Sequence, residues 1–243
     1  MITKGIRIAM WSGPRNISTA LMRSFENRPD TAVIDEPFYA HYLQCTGLEH
    51  PGRDKVLLSQ STDWNEIKTM LTGPIPERKT VWYQKHMAQH NLKGCDLTWT
   101  KYLTNCFLIR EPAEVIHSYG KQFPVNNEML LGFIQQEELF KYIINQTNVL
   151  PPVLDAKDIL LNPKKMLKKL CSAIGIQFDN KMLRWPPGKR KSDGIWAPYW
   201  YKQVEKSTGF KLYKKKKIRI SDKQKFLLEK CSPAYEYLLQ YKI

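Results

Sequence analysis

Two short runs of this sequence put cations, hydroxyls and helix starts together in a way that suits anion chemistry. In the first, Trp11, Ser12, Gly13, Pro14, Arg15, Asn16, Ile17, Ser18 and Thr19 join an apolar run, Ile6 to Trp11, to a helical pattern opening at Ser18 and reaching about Arg28. Such a turn leaves the first N–H groups of the helix unpaired at the positive end of its dipole. A phosphate there would meet loop amides, the Arg15 guanidinium and the Ser18 and Thr19 hydroxyls. The run is not a Walker A loop: after Gly13 there is no second Gly and no Lys, and Arg15 supplies the cation. The plain alternative is an ordinary turn with a Ser cap.

The second run is Phe107, Leu108, Ile109, Arg110, Glu111 and Pro112, an apolar strand ending in Arg, followed by a helix that carries Ser118 eight residues after Arg110. Two helical turns bring Ser118 back toward the strand end, where Arg110 and Ser118 could hold one phosphate together. Taken singly, an Arg at a strand end is often a surface ion-pair former and a mid-helix Ser is usually inert.

In order and in chemistry, these two runs resemble the 5′-phosphosulfate loop and the 3′-phosphate motif of sulfotransferases that use 3′-phosphoadenosine 5′-phosphosulfate (PAPS). The family loop reads P-[KR]-S-G-[ST]-T, and Pro14, Arg15, Ser18 and Thr19 match it, with departures at Asn16 and at Ile17, where the family often has Gly. The 3′-phosphate motif is an R-[DE]-P triplet with a Ser eight residues beyond the Arg, which Arg110, Glu111, Pro112 and Ser118 reproduce. Arg190 and Lys191, ahead of Asp193, Gly194 and Trp196, are similar to a late R-K-G loop that completes the 3′-phosphate pocket; Ser192 stands where the Gly would be, and a solvated basic turn is the bland reading.

The resemblance implies a three-layer P-loop-type α/β domain over residues 1–243, PAPS as donor, 3′-phosphoadenosine 5′-phosphate as product, and a small-molecule acceptor bearing a hydroxyl or amine. It implies Arg15 at the 5′-phosphate and leaving oxygen. For the base it implies either Glu36, in an E-P segment such as some members carry, or His86, beside Lys85, where other members carry K-x-H. Lys85 and His86 are adjacent, and neighbours on an extended segment point to opposite faces, so both aim at one atom only if the strand has ended. Glu36 ranks ahead, because a carboxylate near cations and an acceptor hydroxyl is the simpler base geometry; Lys85 or His86 then assists the sulfuryl oxygens.

The elements that must position these residues are legible as alternating short strands and helices. Strands are expected at Ile6 to Trp11, Ala32 to Ile34, Thr80 to Gln84, Asn105 to Ile109 and Val153 to Asp155. Helices are expected at Ser18 to Arg28, from a cap at Asp35 with Pro37 in the first turn to Leu43, and at Trp64 to Leu71, Pro112 to Tyr119, Glu128 to Asn148, Pro163 to Ile174 and Asp222 to Gln240. This alternation predicts a mostly parallel sheet covered on both faces. An irregular, aromatic and basic stretch starts at Pro186 and ends near Lys217. Phe38, Tyr39, Tyr42, Trp82, Tyr83, Trp196, Tyr199, Trp200 and Tyr201 flank the candidate segments as core or as pocket wall. His41 is a candidate acceptor contact; His50, His90 and His117 show no partner pattern.

Composition narrows the partners. With 42% hydrophobic and 25% charged residues over 243 positions, the chain is globular. Lys and Arg number 38 against 23 Asp and Glu, a net +15 that gathers anions, whether nucleotide, nucleic acid or membrane surface. No apolar run approaches the roughly 18 to 20 residues of a membrane helix, and the start lacks a signal-peptide stretch, so a cytosolic protein is expected. Five scattered cysteines with no C-x-x-C pair read as free thiols, Cys106 and Cys171 in the core. Five histidines without ligand spacing predict a site with no metal. Lys214 to Lys217 read as a solvated run. Two other classes are compatible with a basic α/β chain. One is an ATP/magnesium small-molecule kinase with Asp35 on the metal. The other is a non-catalytic nucleotide- or nucleic-acid-binding protein, which lacks a recognised nucleic-acid signature and leaves Arg110 with Ser118 unexplained.

Overall fold

The structure is a computed structural model and describes residues 5–215 and 218–243. Lys216 and Lys217, half of the lysine run, lie outside them; Lys214 and Lys215 are exposed.

Five strands, β1 (Ile6–Ser12), β2 (Thr31–Asp35), β3 (Val81–Met87), β4 (Thr104–Ile109) and β5 (Val153–Asp155), form one sheet in the order β2-β3-β1-β4-β5. Every pairing is parallel. Parallel strands need crossovers, and the crossovers place helices on both faces, which is why these strands read as near-continuous apolar runs. On one face, Ile8, Met10, Tyr83, Cys106 and Leu108 pack against α1 (Ser18–Glu26), with helices α7 (Ala156–Leu161) and α8 (Pro163–Ala173) beside it. On the other, Trp11, Trp82, Phe107 and Ile109 meet α4 (Trp64–Thr72), α5 (Pro112–Tyr119), α6 (Phe133–Thr147) and α10 (Asp222–Leu239). A third cluster, with Tyr39, Tyr42, Leu43, Val56, Trp196 and Tyr201, gathers α2 (Tyr39–Thr46), α3 (Arg53–Ser59) and the one-turn α9 (Ala197–Trp200) beyond the carboxyl ends of the strands. Cys106 and Cys171 are buried, as expected, and so is Cys231.

Three expectations change. β3 runs to Met87 rather than ending at Gln84, so Lys85 and His86 are both inside the strand. Asp35 does not cap a helix: it ends β2, and α2 begins at Tyr39 behind Phe38, which offers no side-chain cap. The long helix from Glu128 is broken at Gly132 (φ 75°), with one 3-10 turn before it (Glu128–Leu131) and α6 after it. A glycine is favoured there because its φ is left-handed, and a Cβ would also press on the Gly13 backbone, 3.3 Å from its Cα.

Candidate active site

The carboxyl ends of β1, β2, β3 and β4 open on one side of the sheet, where the order of strands reverses direction around β1; ligand crevices of open α/β sheets form at such points. A cavity of about 430 Å³ lies there, lined among others by Pro14 to Thr19, Glu36, Lys85, Arg110 and Ser118.

At one end stand the cations. Arg15 occupies the left-handed region (φ 55°), a conformation disfavoured for a residue with a side chain and characteristic of binding loops held by their surroundings. Arg110 Nη1 donates to the Arg15 carbonyl (2.7 Å), and Arg15 Nε donates to Ser118 Oγ (3.2 Å). The guanidinium of Arg110 is also paired with Glu114 (2.8 Å). Burial, and then the charge of Arg110, lower the pKa of Arg15, so this end of the cavity favours an anion. Asn16 is spent on architecture: its amide donates to the Leu108 carbonyl (2.8 Å), and its Oδ1 accepts from the Ile17 N–H (2.9 Å), tying the loop to β4. Ile17 adopts φ −90°, which any residue tolerates, and packs its side chain into the core beneath α1. The positive φ in this loop falls on Arg15, so the missing Gly at Ile17 imposes no backbone strain.

The same cavity is bordered by a buried acid–lysine cluster. Asp35 and Lys85 are register partners on β2 and β3, so their side chains share a face. Lys85 Nζ donates to Asp35 Oδ1 (2.8 Å), Glu36 Oε1 (2.6 Å) and Tyr201 Oη (2.7 Å). Tyr201 in turn donates to Asp35 Oδ2 (2.6 Å) and accepts from Trp196 Nε1 (3.2 Å). Burial alone would lower the pKa of Lys85, but Asp35 and Glu36 more than reverse this, and it stands well above its ordinary value. Glu36, also left-handed at φ 41°, has its pKa raised: burial and the neighbouring Asp35 outweigh the pull of Lys85. Its Oε1 faces Lys85 and its other oxygen makes no hydrogen bond among the described residues, leaving a lone pair toward the cavity it lines.

His86 is not in this site. Alternation along β3 turns it to the opposite face from Lys85, where it stacks on Trp11 (ring centroids 4.2 Å apart) with its Nε2 near Gln84 Oε1 (3.2 Å). Burial pushes its pKa down to about 3, so it stays neutral and its role as base is corrected to packing. A sign follows from this. Between about pH 6.5 and 3 an unfolded imidazole binds a proton that the folded one refuses, so stability must fall as pH drops through that window. Urea titrations at pH 7 and pH 5 should show the loss to be about 2 kcal/mol smaller in His86→Phe than in the wild type. An equal loss in both proteins refutes this burial.

Arg190 and Lys191 are also displaced from expectation. Arg190 Nε lies 3.7 Å from Glu26, and its backbone N–H donates to Asp193 (2.7 Å); Asp193 is itself held by Arg23 (2.6 Å). Neither Arg190 nor Lys191 lines the cavity, whose late segment instead brings Lys202 and Lys211 to it. His41 is turned to Trp64 and Cys45, away from the cavity, whereas His50 and His90, which had no pattern in the sequence, line it. Of the flanking aromatics, Tyr39, Trp196, Tyr199, Trp200 and Tyr201 are pocket wall; Phe38 and Trp82 are core. His90 had no signal of spacing in the sequence because its neighbours at the site come from distant segments, whereas Tyr201 stood among the flanking aromatics read as core or pocket wall.

Among the described residues no group of three or more His, Cys, Asp or Glu is arranged to hold a metal ion, and no helix is long and apolar enough to cross a membrane. Residues 6–238 match the family model described as Sulfotransferase domain. Branched-chain-amino-acid aminotransferase-like protein 1 of Arabidopsis thaliana is 35% identical over 232 residues, covering 95% of this chain and 41% of that protein. Branched-chain-amino-acid aminotransferase-like protein 2 of the same plant is 34% identical over 233 residues, with the same shares. The chain thus spans about two fifths of the length of these curated relatives. In fold it is similar to the Sulfotransferase Domain from the Curacin Biosynthetic Pathway (TM-score 0.54, 12% identity, 94% of this chain and 98% of that one). It is also similar to a sulfotransferase from Alicyclobacillus acidocaldarius (TM-score 0.52, 11% identity, 98% and 97%). With one family model running through all five strands and the residues that line the cavity, the chain belongs to the sulfotransferase domain family.

Proposed function

We propose that this protein transfers a sulfuryl group from PAPS to a hydroxyl or amine of a small-molecule acceptor. The observation that carries the reading is that Arg15, Arg110 and Ser118 share one cavity with Glu36 and Lys85, so a polyanionic donor and a nucleophile can meet inside it. PAPS supplies an activated sulfuryl group on a phosphate leaving group. The new bond joins the acceptor heteroatom to sulfur, the bond from sulfur to the 5′-phosphate oxygen breaks, and the acceptor proton passes to Glu36. Arg15, the loop amides, Ser18 and Thr19 hold the 5′-phosphate and the charge that grows on the leaving oxygen; Arg110 and Ser118 hold the 3′-phosphate. Lys85, whose three Nζ donors are all taken by Asp35, Glu36 and Tyr201, keeps Glu36 in place and has no donor left for the sulfuryl oxygens that the resemblance gave it. Lys202 and Lys211 take the part that the sequence assigned to Arg190 and Lys191. In a kinase Asp35 would have to take magnesium, yet both its oxygens are committed to Lys85, Tyr201 and the Gly194 N–H.

The test is thermal stabilisation by 3′-phosphoadenosine 5′-phosphate in the presence of EDTA. At a hundredfold excess over Kd the gain should be about 2.7 kcal/mol, and it should vanish in Arg15→Ala. Stabilisation by ATP with magnesium only would overturn the reading.

A further inference from the structure

The Lys85 ammonium is more ordered than the pairing of one lysine with two acids requires. Its three donors go to Asp35 Oδ1 (2.8 Å), Glu36 Oε1 (2.6 Å) and Tyr201 Oη (2.7 Å). Tyr201 Oη faces two groups that only donate, Lys85 Nζ and Trp196 Nε1 (3.2 Å), so its own proton lies on Asp35 Oδ2 (2.6 Å). Lys85, Tyr201 and Asp35 thereby close a ring of three hydrogen bonds. All three are buried: the lysine is 1% exposed, the tyrosine and the aspartate 4%. An ammonium with two N–H groups fixed in such a ring has lost its rotation about Cε–Nζ, so the direction of the third is settled, and it falls on Glu36. The Gly194 N–H gives Asp35 Oδ2 a further donor (3.2 Å), so Asp35 is satisfied without drawing on the N–H that reaches Glu36.

Resting on the reading of the site as a sulfotransferase centre, we infer that Tyr201 is a positioning residue for the base: by closing the ring with Lys85 and Asp35 it fixes the N–H that holds Glu36, and with it the Glu36 oxygen left for the acceptor. Glu36 lines the cavity and Asp35 does not, so the carboxylate that the ring aims is the one within reach of an acceptor. Tyr201 is not itself the base. Burial, and then the charge of Asp35, hold its pKa well above the ordinary value, so it keeps its proton. Without the hydroxyl, Asp35 Oδ2 retains only the Gly194 N–H, the ammonium turns freely, and the Glu36 carboxylate turns with it. A base displaced in this way is felt in the chemical step rather than in binding.

Tyr201→Phe keeps the ring and deletes the hydroxyl. With labelled PAPS and phenol as acceptor, kcat should fall about tenfold, the scale of one hydrogen bond to a charged group, while the KM for phenol and the affinity for 3′-phosphoadenosine 5′-phosphate stay within about twofold of wild type. The double variant separates positioning from support of the fold. In a Glu36→Gln background the same substitution should lower kcat by less than about twofold, because the group that Tyr201 positions is already gone. A tyrosine that only supports the fold lowers kcat by the same factor in both backgrounds. Where phenol is not an acceptor, the same ratios are read from release of 3′-phosphoadenosine 5′-phosphate with water as acceptor. Equal losses in the two backgrounds, an unchanged kcat in Tyr201→Phe, a loss carried by donor affinity, or a nucleotide-binding wild type that turns over PAPS with neither acceptor overturns this assignment while the donor site stands. Failure of the nucleotide to stabilise the wild type overturns the sulfotransferase reading beneath it.

Discussion

Glu36→Gln is expected to lower kcat by two to four orders of magnitude while leaving the affinity for 3′-phosphoadenosine 5′-phosphate within about twofold of wild type. The amide keeps the shape of the side chain and an oxygen for Lys85 Nζ, which sits 2.6 Å from Glu36 Oε1, but cannot take a proton from the acceptor. Because burial raises the Glu36 pKa, its basicity is better matched to a hydroxyl than that of an exposed carboxylate. The limb of the rate profile that rises with pH should therefore sit above the usual carboxylate range, and it should disappear in the variant. His86→Phe is the control, since that ring lies across the sheet from the cavity; its turnover should stay within a fewfold of wild type. Near-normal turnover by Glu36→Gln, measured with labelled PAPS and a phenol acceptor, removes Glu36 from the chemistry.

Lys85→Met should be the most destabilising single change at the site, by roughly 3 to 5 kcal/mol, which for a chain of this size is a drop in Tm on the order of 10 °C. Lys85 is 1% exposed and is the cation for two buried carboxylates. Methionine fills similar volume without charge, leaving Asp35 and Glu36 to repel one another in a medium that solvates neither. The remedy available to the protein is to protonate one acid, so the loss should be smaller at pH 5 than at pH 8. Scanning calorimetry at the two pH values checks both the size and the sign, and an unchanged Tm would mean that this cluster does not form.

The backbone conformations at the site fit this account. Arg15 and Glu36, which both line the cavity, are both left-handed residues with side chains. Each stands where a strand gives way to a tight turn, and each is held by bonds from another strand: the Arg15 carbonyl by Arg110, and the Glu36 N–H by the Lys85 carbonyl (3.0 Å). Local disfavour of this kind persists only when the surroundings over-determine the conformation.

Sequence alone determined the features that are local. Short apolar runs alternating with amphipathic ones pointed to the parallel sheet; Pro14, Arg15, Ser18 and Thr19 marked a candidate anion loop, and Arg110 with Ser118 a second candidate, because a strand end and the first turns of a helix are fixed by neighbours within about ten residues. Even the separation of Lys85 from His86 was implicit in the period of a strand, once the strand was known to continue. Where β3 stopped was not local: its last residues are held by pairing Met10 with Lys85 and Ser12 with Met87, contacts between segments about 75 positions apart. Tertiary structure likewise decided that Asp35 binds Lys85 and Tyr201 instead of capping α2, that Arg190 is drawn off to Glu26 and Asp193, and that Tyr201 and His90 reach the cavity. These depend on which side chains meet after the chain crosses over the sheet. Charge pairing and burial there outweigh any helix-cap or motif preference that a short stretch of sequence expresses.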